Sequence, residues 1–302
     1  MKTLKIIKQD TKIQFLKYKK ITLFISLIFC LVSFLSIFVN GLNFGIDFKG
    51  GSLIEVRSEE SINISSVRSR LSLLNLGEVQ IQNFGSEKNI LVRVEASSSD
   101  NNSSILSIIT NELRSFGEIQ RTELVGPKIS SELIQKGILA IISAVGLMLF
   151  YIWIRFEWQF SLGAVLALIH DVIITIGIFS FFQIEFNLSI IAALLTIIGY
   201  SMNDTVVVYD RIRENLRKYK KQDLYELINS SINQTLSRTV LTSFTTLLAL
   251  FSLYILGGQV IRGFTFAMII GVFIGTYSST FIASQLLHIL GVKRDWSKNN
   301  DN

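Results

Sequence analysis

The chain of 302 residues has one cysteine, one proline and two histidines, and only 17% of its residues are charged. The single cysteine, Cys30, cannot form an intramolecular disulfide. The histidines, His170 and His288, lie far apart along the chain, so neither a metal site nor a cofactor is predicted. No nucleophile stands beside a base, and no cofactor motif is present, which argues against an enzyme.

Apolar residues are abundant instead, at 49% of the chain, and the mean hydropathy is +0.47. This exceeds what a soluble domain of the same length carries. Six segments reach the length of about 20 residues that crosses a bilayer of ~30 Å. The first is longer than the roughly 7–15-residue core of a cleaved signal peptide, so we expect it to stay as an anchor. We predict membrane spans at residues 21–39, 133–154, 160–182, 188–209, 239–256 and 264–290.

The distribution of Lys and Arg predicts the orientation. Seven lysines lie in the tail 1–20, six basic residues follow the fourth span, and three lie in the tail 291–302. Because basic loops stay on the cytoplasmic side, both termini should be cytoplasmic and residues 40–131 should lie outside. The net charge of +6 then belongs to the cytoplasmic face, where anionic lipids explain it better than nucleic acid does.

Residues 40–131 carry the alternating pattern of a small α+β domain. The order of predicted elements is β-α-β-β-α-β, which is the split βαβ, or ferredoxin-like, arrangement. The domain has no histidine and no cysteine, so we expect it to bind or move a partner rather than to perform bond chemistry. The predicted strands are residues 53–57, 79–84, 90–95 and 119–125, and the predicted helices are residues 63–74 and 105–116.

A glycine-rich connector, residues 41–51, joins the first span to this domain. Glycine permits positive φ and close backbone approach, so Gly45, Gly50 and Gly51 predict a tight segment at the membrane surface. Asp47 is expected to attach it to neighbouring elements. A phosphate-binding loop is the alternative, but the G-x-x-x-x-G-K-[ST] pattern and a following helix are missing.

Two opposite charges fall within or beside apolar runs. Asp204 lies inside the fourth span and Arg238 begins the fifth. A carboxylate near the bilayer centre costs roughly 2.5–3.5 kcal/mol, so Asp204 needs a partner or a task. One interpretation is a structural ion pair with Arg238, and the other is a protonation switch governed by how close the guanidinium lies. In both, we expect two polar helix faces to meet: Thr196, Tyr200, Asp204 and Val207 with Gln234, Arg238, Thr242 and Thr245.

The third and sixth spans carry further signals. Consecutive helical residues point about 100° apart, so His170 and Asp171 are not expected to form a hydrogen-bonded dyad. For Asp171, a proton relay and hydrogen bonds that join helices both stay open, and His170 is expected to be structural. In the sixth span, small residues at every fourth position predict close helix packing. They are Gly271, Gly275, Ser279 and Ala283.

Several motifs in this order resemble the SecF members of the SecD/SecF family of bacterial protein-export membrane proteins. They are Gly45-Ile-Asp-Phe-Lys-Gly-Gly51, Val125-Gly-Pro127, Arg155-Phe-Glu-Trp158, His170-Asp-Val-Ile-Ile174, residues 199–215 and Leu236-Ser-Arg-Thr239. The resemblance implies the fold of RND (resistance-nodulation-division) permeases. A basic tail (1–20), a first span (21–39), a periplasmic domain (40–131), a five-helix membrane bundle (132–290) and a second tail (291–302) would follow one another.

The resemblance also implies a function in the bacterial inner membrane. Such proteins form a complex with SecD, YajC and the SecYEG channel, and they use the proton motive force to promote late steps of preprotein translocation. The resemblance assigns Asp204 and Arg238 to the proton pathway, and Asp171 is a candidate beside them. An RND-type exporter is a poorer match, since six spans are half of such a bundle. A passive assembly subunit stays open.

Overall fold

The computed structural model describes residues 11–74, 79–94 and 102–292. Within these ranges, six helical segments are long and apolar enough to cross a membrane. All six predicted spans are confirmed as helices. The segments are Phe15–Asn40, Ile129–Arg155, Trp158–Phe181, Leu188–Lys218, Leu224–Leu256 and Arg262–Ile289.

The helices of the bundle differ from the prediction mainly where the fourth long helix ends and the fifth begins. Only five residues, 219–223, separate the fourth and fifth long helices, where a longer loop was expected. Both helices extend beyond their apolar segments into charged residues, which a search for hydropathy does not detect. Asp223 caps the fifth helix by accepting a hydrogen bond from the Tyr225 amide (2.9 Å). The bundle consists of α1 (Lys19–Asn40), α5 (Pro127–Arg155), α6 (Trp158–Phe181), α7 (Leu188–Lys218), α8 (Leu224–Leu256), α9 (Arg262–Ser278) and α10 (Ser284–Ile289).

A π-helical turn, Ser279–Ala283, joins α9 to α10. A single π turn inside an α-helix is rare and often marks a functional site. Before α1, a short 3₁₀ turn at Phe15–Tyr18 places Phe15 and Leu16 in the core, and the Leu16 amide donates to Asn229 of α8. The predicted tails lie partly outside the described residues, which exclude 1–10 and 293–302.

The small domain between α1 and α5 is a four-stranded antiparallel sheet with two helices. Its strand order is β2-β3-β1-β4, which confirms the split βαβ prediction. A one-turn helix, α2 (Ile46–Lys49), precedes the domain within the connector. The elements are β1 (Gly51–Arg57), α3 (Ile64–Ser72), β2 (Val79–Phe84), β3 (Ser86–Val94), α4 (Asn102–Leu113) and β4 (Glu118–Val125).

The two faces of this sheet have different roles. Ile54 and Val56 of β1 point to the helices and form the domain core with Val67 of α3 and Ile109 of α4. Side chains alternate along a strand, so Leu53 and its neighbours at every second position point to the opposite face, toward the bundle. A cleft of ≈ 560 Å³ lies between that face and the outer ends of the bundle helices.

Helices α7 and α9 pack side by side at the centre of the bundle. A Cβ atom at Gly271 would overlap Ile197, and one at Gly275 would lie 2.9 Å from the Cβ of Ser201. Further along the same ridge, Ala283 accepts a hydrogen bond from the Tyr209 hydroxyl (3.2 Å). The predicted small-residue ridge of the sixth span is therefore confirmed, and α7 is the helix that it packs against.

Candidate functional site

Asp171 of α6 is completely buried at the junction of three helices. Its Oδ2 atom accepts hydrogen bonds from the Ser201 hydroxyl of α7 (2.6 Å) and from the Ser278 hydroxyl of α9 (2.7 Å). Buried carboxyl groups require such partners, because an unpaired polar group in a dry interior is unfavourable. Asp171 thus joins α6, α7 and α9 through one oxygen atom.

The other oxygen atom of Asp171 contacts its neighbour in sequence. Oδ1 lies 2.9 Å from Nδ1 of His170, so the expectation that these two residues would not form a dyad is wrong. The 100° rotation between consecutive residues is overcome because both side chains turn toward each other in the buried space beside Tyr277. Nε2 of His170 is buried without a hydrogen-bond partner among the described residues.

Asp204 lies on α7, one turn further along than Ser201. It is only 7% exposed, and its Oδ2 atom accepts a hydrogen bond from the Ser279 hydroxyl (2.6 Å). Thr239 of α8 lies near the same carboxyl group, but its buried hydroxyl has no hydrogen-bond partner among the described residues. The predicted burial of Asp204 is therefore present, and its close partner is the neutral Ser279 hydroxyl.

Ser278 and Ser279 connect the two acidic residues. Ser278 donates to Asp171 and Ser279 donates to Asp204, so two consecutive hydroxyl groups serve two carboxyl groups on different helices. The serines stand where α9 passes into the π-helical turn, which widens the helix at this point. The arrangement brings two ionisable groups close to one short, irregular segment.

Arg238 is placed differently from the prediction. It is exposed on α8, and no ion pair within 4.0 Å joins it to Asp204 in the described part of the chain. It acts on Asp204 electrostatically through space. The row of α8 that is buried consists of Thr235, Thr239 and Ser243, one residue along from the predicted face.

The two predicted polar faces therefore meet only in part. Gln234 accepts a hydrogen bond from Arg211 of α7 (2.6 Å), and the Tyr200 hydroxyl lies 3.4 Å from that of Ser243. Thr196, Thr242 and Thr245 are exposed, and their hydroxyls bond to carbonyl groups of their own helices. One residue corresponds to a rotation of about 100°, which is why an error of one position turns a face outward.

Three residues of the site were missed by the sequence analysis. Ser201, Ser278 and Thr239 are ordinary hydroxyl residues inside apolar helices, where most such side chains bond to their own backbone. For Ser201 a signal exists, because it lies three residues before Asp204 and hence on a neighbouring part of the same face. Ser278 precedes a residue of the small-residue ridge but carries no pattern of its own.

The connector forms a second set of contacts at the outer end of the bundle. Asp47 Oδ2 accepts a hydrogen bond from the Leu188 amide (2.8 Å), the first residue of α7. Arg93 of β3 forms an ion pair with Glu185, which lies in the turn between α6 and α7. Burial raises the pKa of Glu185, and the neighbouring Arg93 partly opposes that shift. The predicted attachment of Asp47 to a neighbouring element is thus present.

The connector glycines serve two different needs. Gly50 (φ 76°) and Gly51 (φ 127°) adopt positive φ, as their sequence position suggested. Gly45 has an ordinary φ of −74°, but a Cβ atom there would lie 2.6 Å from Oε1 of Glu185. Gly45 is therefore needed for close approach to the α6–α7 turn.

Two family models match the chain. Residues 108–293 match the C-terminal region of the protein export membrane protein SecD/SecF, and residues 35–62 match the SecD/SecF GG motif. The second match covers the connector, and the first covers all the residues of the buried acidic site.

Curated relatives match over nearly the full length. The protein translocase subunit SecF of Rickettsia bellii (strain OSU 85-389) is 45% identical over 295 residues, which is 96% of this chain and 97% of the relative. The same-named protein of Rhodobacter capsulatus is 42% identical over 312 residues, covering 98% and 94%.

A solved structure is also similar. The crystal structure of SecDF, a translocon-associated membrane protein from Thermus thermophilus, superposes with a TM-score of 0.85 at 36% identity. The match covers 94% of this chain and 39% of the SecDF chain. SecDF in its super-membrane-facing form gives a TM-score of 0.69 with the same 39% coverage. The chain therefore spans less than half the length of SecDF.

Proposed function

The chain belongs to the SecD/SecF family of protein-export membrane proteins, and we propose that it is a SecF-type subunit that couples proton movement to protein translocation. It has a role in Sec-dependent protein translocation, in keeping with relatives that match over almost their full length. Its six membrane-spanning helices and split βαβ domain match part of SecDF, an RND-type membrane protein. The proposed coupling to proton movement rests on the buried acidic site of the bundle.

The observation that carries this proposal is the pair of buried acids linked by Ser278 and Ser279. Asp171 and Asp204 sit inside the membrane bundle with hydroxyl partners, and among the described residues no Lys or Arg side chain lies within 4.0 Å of either carboxyl group. In hydrocarbon such groups are costly unless they serve a function. A proton moving through ~100 mV releases about 2.3 kcal/mol, which changes a two-state equilibrium about fifty-fold.

Arg238 would act on this site from the outward side of α8. It is level with Thr239, which approaches Asp204, but it is exposed in the isolated chain. A guanidinium stays charged at every accessible pH, so a small movement toward Asp204 would favour release of a proton. We propose that the two helices move relative to each other as Asp204 gains and loses its proton.

The exposed polar face of α8 supports SecD as a partner. Arg238, Thr242 and Thr245 lie within a membrane-spanning helix, where exposure to lipid is unfavourable for charged and polar groups. A second set of membrane helices would cover them, and SecDF contains more chain than this protein supplies. We propose that SecD covers this face, with YajC and the SecYEG channel associated.

The outer domain would act on the translocating preprotein. Its open sheet face and the bundle enclose the ≈ 560 Å³ cleft, which carries polar and apolar side chains such as Gln82, Phe84 and Tyr254. This composition suits an extended polypeptide of varied sequence. We propose that the domain lies in the periplasm, that the protein is a transport subunit rather than an enzyme, and that its pose changes with the protonation of Asp204.

The opposite end of the bundle has the chemistry of a cytoplasmic membrane surface. The guanidiniums of Arg155 and Arg213 both lie over the ring of Phe156. Nearby, Trp153 and Trp158 are exposed, as residues of the interfacial aromatic belt are. We propose that this end contacts anionic headgroups of the inner membrane and that both termini are cytoplasmic.

Substitution of Asp204 tests the proposal. Inverted membrane vesicles containing Asp204→Asn should keep the assembled complex but lose the stimulation of translocation that depends on the proton gradient. The matched control is Asp210→Asn, which removes a carboxylate from an exposed site on the same helix. Gradient-dependent stimulation is the rate with a gradient minus the rate after a protonophore.

The same assay separates coupling from passive assembly. A passive subunit would allow the double variant Asp204→Asn, Arg238→Met to work normally, since that variant removes both charges together. Proton coupling requires the double variant to assemble with its partners and yet show no stimulation. Full stimulation in either Asp204 variant would refute the coupling role.

A further inference from the structure

The connector lies directly against the turn between α6 and α7. The Gly45 amide donates to the Phe186 carbonyl (2.9 Å), and the Phe186 amide donates to the Asn43 carbonyl (2.8 Å). Phe44 and Phe186 form an isolated parallel β-bridge. We call residues 43–47 and 185–188 together the clasp. The segment that leads into the outer domain is thus hydrogen-bonded to the segment that leads into α7.

Asp47 extends the clasp onto the first turn of α7. The first amides of a helix have no partner within the helix, and the helix dipole favours a negative group there. The side chain of the N-cap residue of α7, Asn187, accepts from the Ser189 hydroxyl (2.6 Å) and not from a backbone amide of the helix. Asp47 accepts from the Leu188 amide instead, so the connector supplies the cap that the helix lacks locally.

Arg93 attaches the sheet itself to the same turn. Its side chain is 12% exposed and that of its partner Glu185 is 26% exposed, so this ion pair is largely shielded from water. Removing one member of such a pair is destabilising, because the other charge is left buried without a partner. The sheet is therefore held to the α6–α7 turn through β3 as well as through the connector.

Gly45 allows these contacts to coexist. With any larger residue, the Cβ atom would meet both Oε1 of Glu185 (2.6 Å) and the Cβ of Asn187 (3.2 Å). Glu185 would be displaced from its position beside Arg93. The glycine thus brings the two backbones close enough for the clasp to form.

We propose that the clasp is a closed, rigid joint that makes the outer sheet move together with α7, with Asp47, Arg93 and Glu185 as its positioning residues. This inference rests on the proposed function, since α7 carries Asp204. Leu188 and Asp204 are 16 positions apart, or about 24 Å along a helix. A tilt of α7 at the acidic site reaches the sheet through a continuous helix and four short contacts, without passing through a flexible linker.

Loss of one of these positioning residues should uncouple the domain while the bundle stays assembled. Asp47→Ala and Arg93→Gln are each expected to reduce gradient-dependent stimulation about three-fold or more, the effect of removing one helix cap or one buried charge partner. The gradient-independent rate and co-purification of partner subunits should not change. Arg70→Gln is the matched control, since Arg70 pairs with Glu112 on the far side of the domain and is 57% exposed.

A double variant gives a readout that general damage would not reproduce. Removing both members of the pair, with Arg93→Gln and Glu185→Gln, leaves no buried charge without a partner. This double variant should recover part of the stimulation lost in Arg93→Gln. Equal loss in the single and double variants would contradict the role of the pair.

A reversible cross-link tests whether the joint stays closed. Phe44 and Phe186 are partners in the β-bridge, where neighbouring backbones lie about 4.8 Å apart, within the roughly 4.4–6.8 Å between Cα atoms that disulfides span. Phe44→Cys with Phe186→Cys, in a Cys30→Ser background, should oxidise to near completion in the full-length protein. Stimulation in the oxidised protein should match that after reduction.

Each result has a distinct meaning. Incomplete oxidation would show that the two segments are not held together, whatever the outcome of the translocation assay. Stimulation lost on oxidation and regained on reduction would show that the joint must open, which would overturn the inference. If Asp204→Asn abolishes stimulation but Asp47→Ala and Arg93→Gln do not, the clasp fails and the proposed function stands.

Discussion

At the scale of residues, the two buried acids have unequal surroundings. Asp171 contacts two hydroxyls and an imidazole, whereas Asp204 has one close hydroxyl and an exposed guanidinium at a distance. Asp171 is therefore held in place by three helices, while the contacts of Asp204 can change with small helix movements. This difference favours Asp204 as the group whose charge responds and Asp171 as the group that keeps the helices in register.

The sequence identifies the acids but not their partners. A carboxylate inside an apolar run is conspicuous because its burial is costly, so Asp171 and Asp204 can be found by inspection. Hydroxyl groups carry no such penalty, since they bond to their own helix, as Thr242 and Thr245 do. Whether a serine such as Ser278 reaches across to another helix depends on packing that no local pattern records.

Glu185 gives a prediction about pH. Burial raises its pKa above the ordinary value of 4.5, so between that value and the raised pKa the folded protein holds more protons at this group than the unfolded chain does. Stability should therefore fall as the pH rises from about 4.5 through this window. Glu185→Gln removes that contribution, and its melting temperature relative to the unmodified protein should increase with pH.

Melting curves in detergent at several pH values between about 4 and 7 would measure this difference. Glu112→Gln is the control, because Glu112 is paired on the outer surface of the domain. A constant difference between Glu185→Gln and the unmodified protein across the window would contradict the prediction.

At the scale of elements, the bundle depends on the close packing of α7 and α9. The positions of the small residues reveal the ridge on α9, because a period of four places them on one face. They do not reveal the partner helix, which only the structure identifies through Ile197 and Ser201. The π-helical turn has no sequence signature either. Ser278 immediately precedes this turn and Ser279 is its first residue.

The rotation of α8 shows why helix faces are harder to predict than helices. The buried row of α8 and the exposed row one residue before it both consist of polar residues, so polarity does not distinguish them. The existence of the helix follows from its apolar length, but its rotation is set by contacts such as that between Tyr200 and Ser243. The sequence therefore predicts the membrane span correctly, but it places the buried polar face of α8 one residue before its observed position.

A pair of glycine substitutions tests the packing. Gly271→Ala adds a methyl group that overlaps Ile197, and we expect it to destabilise the protein by about 1–3 kcal/mol. Gly146→Ala is the control, since nothing lies within 4 Å of a Cβ atom there. Alanine is the better helix former, so this control should be neutral or slightly stabilising. Equal melting temperatures for the two variants would argue against close contact of α7 and α9.

At the scale of the whole molecule, the polar strip on α8 leaves the bundle incomplete. Its membrane-spanning helices are correctly predicted from hydropathy, and the split βαβ arrangement of the outer domain is correctly predicted from its order of elements. The relation between the two parts is not predictable in this way, because the contacts of Asp47, Arg93 and Glu185 join residues far apart in the chain. The sequence pattern predicts the membrane bundle and the outer domain separately, but not the contacts that join them.

A bulky substitution on the polar strip should prevent assembly with SecD. Thr242→Trp places a large ring on the face that the partner would cover, so co-purification from mild detergent should fall several-fold. Leu248→Trp is the control, because Leu248 is exposed on the apolar face of the same helix, where lipid would accept the ring. Undiminished co-purification of the Thr242 variant would place the partner elsewhere.

The cap that Asp47 supplies to α7 has a practical consequence for chimeras. A graft that exchanges the outer domain at the end of α1 would also remove the carboxylate that caps α7, even when the new domain is well folded. An exchange point after Gly50 keeps residues 41–50 with the membrane part and so preserves this cap. Judged by the contact of Asp47 with α7, this short stretch belongs structurally to the membrane bundle, although it precedes the sheet in sequence.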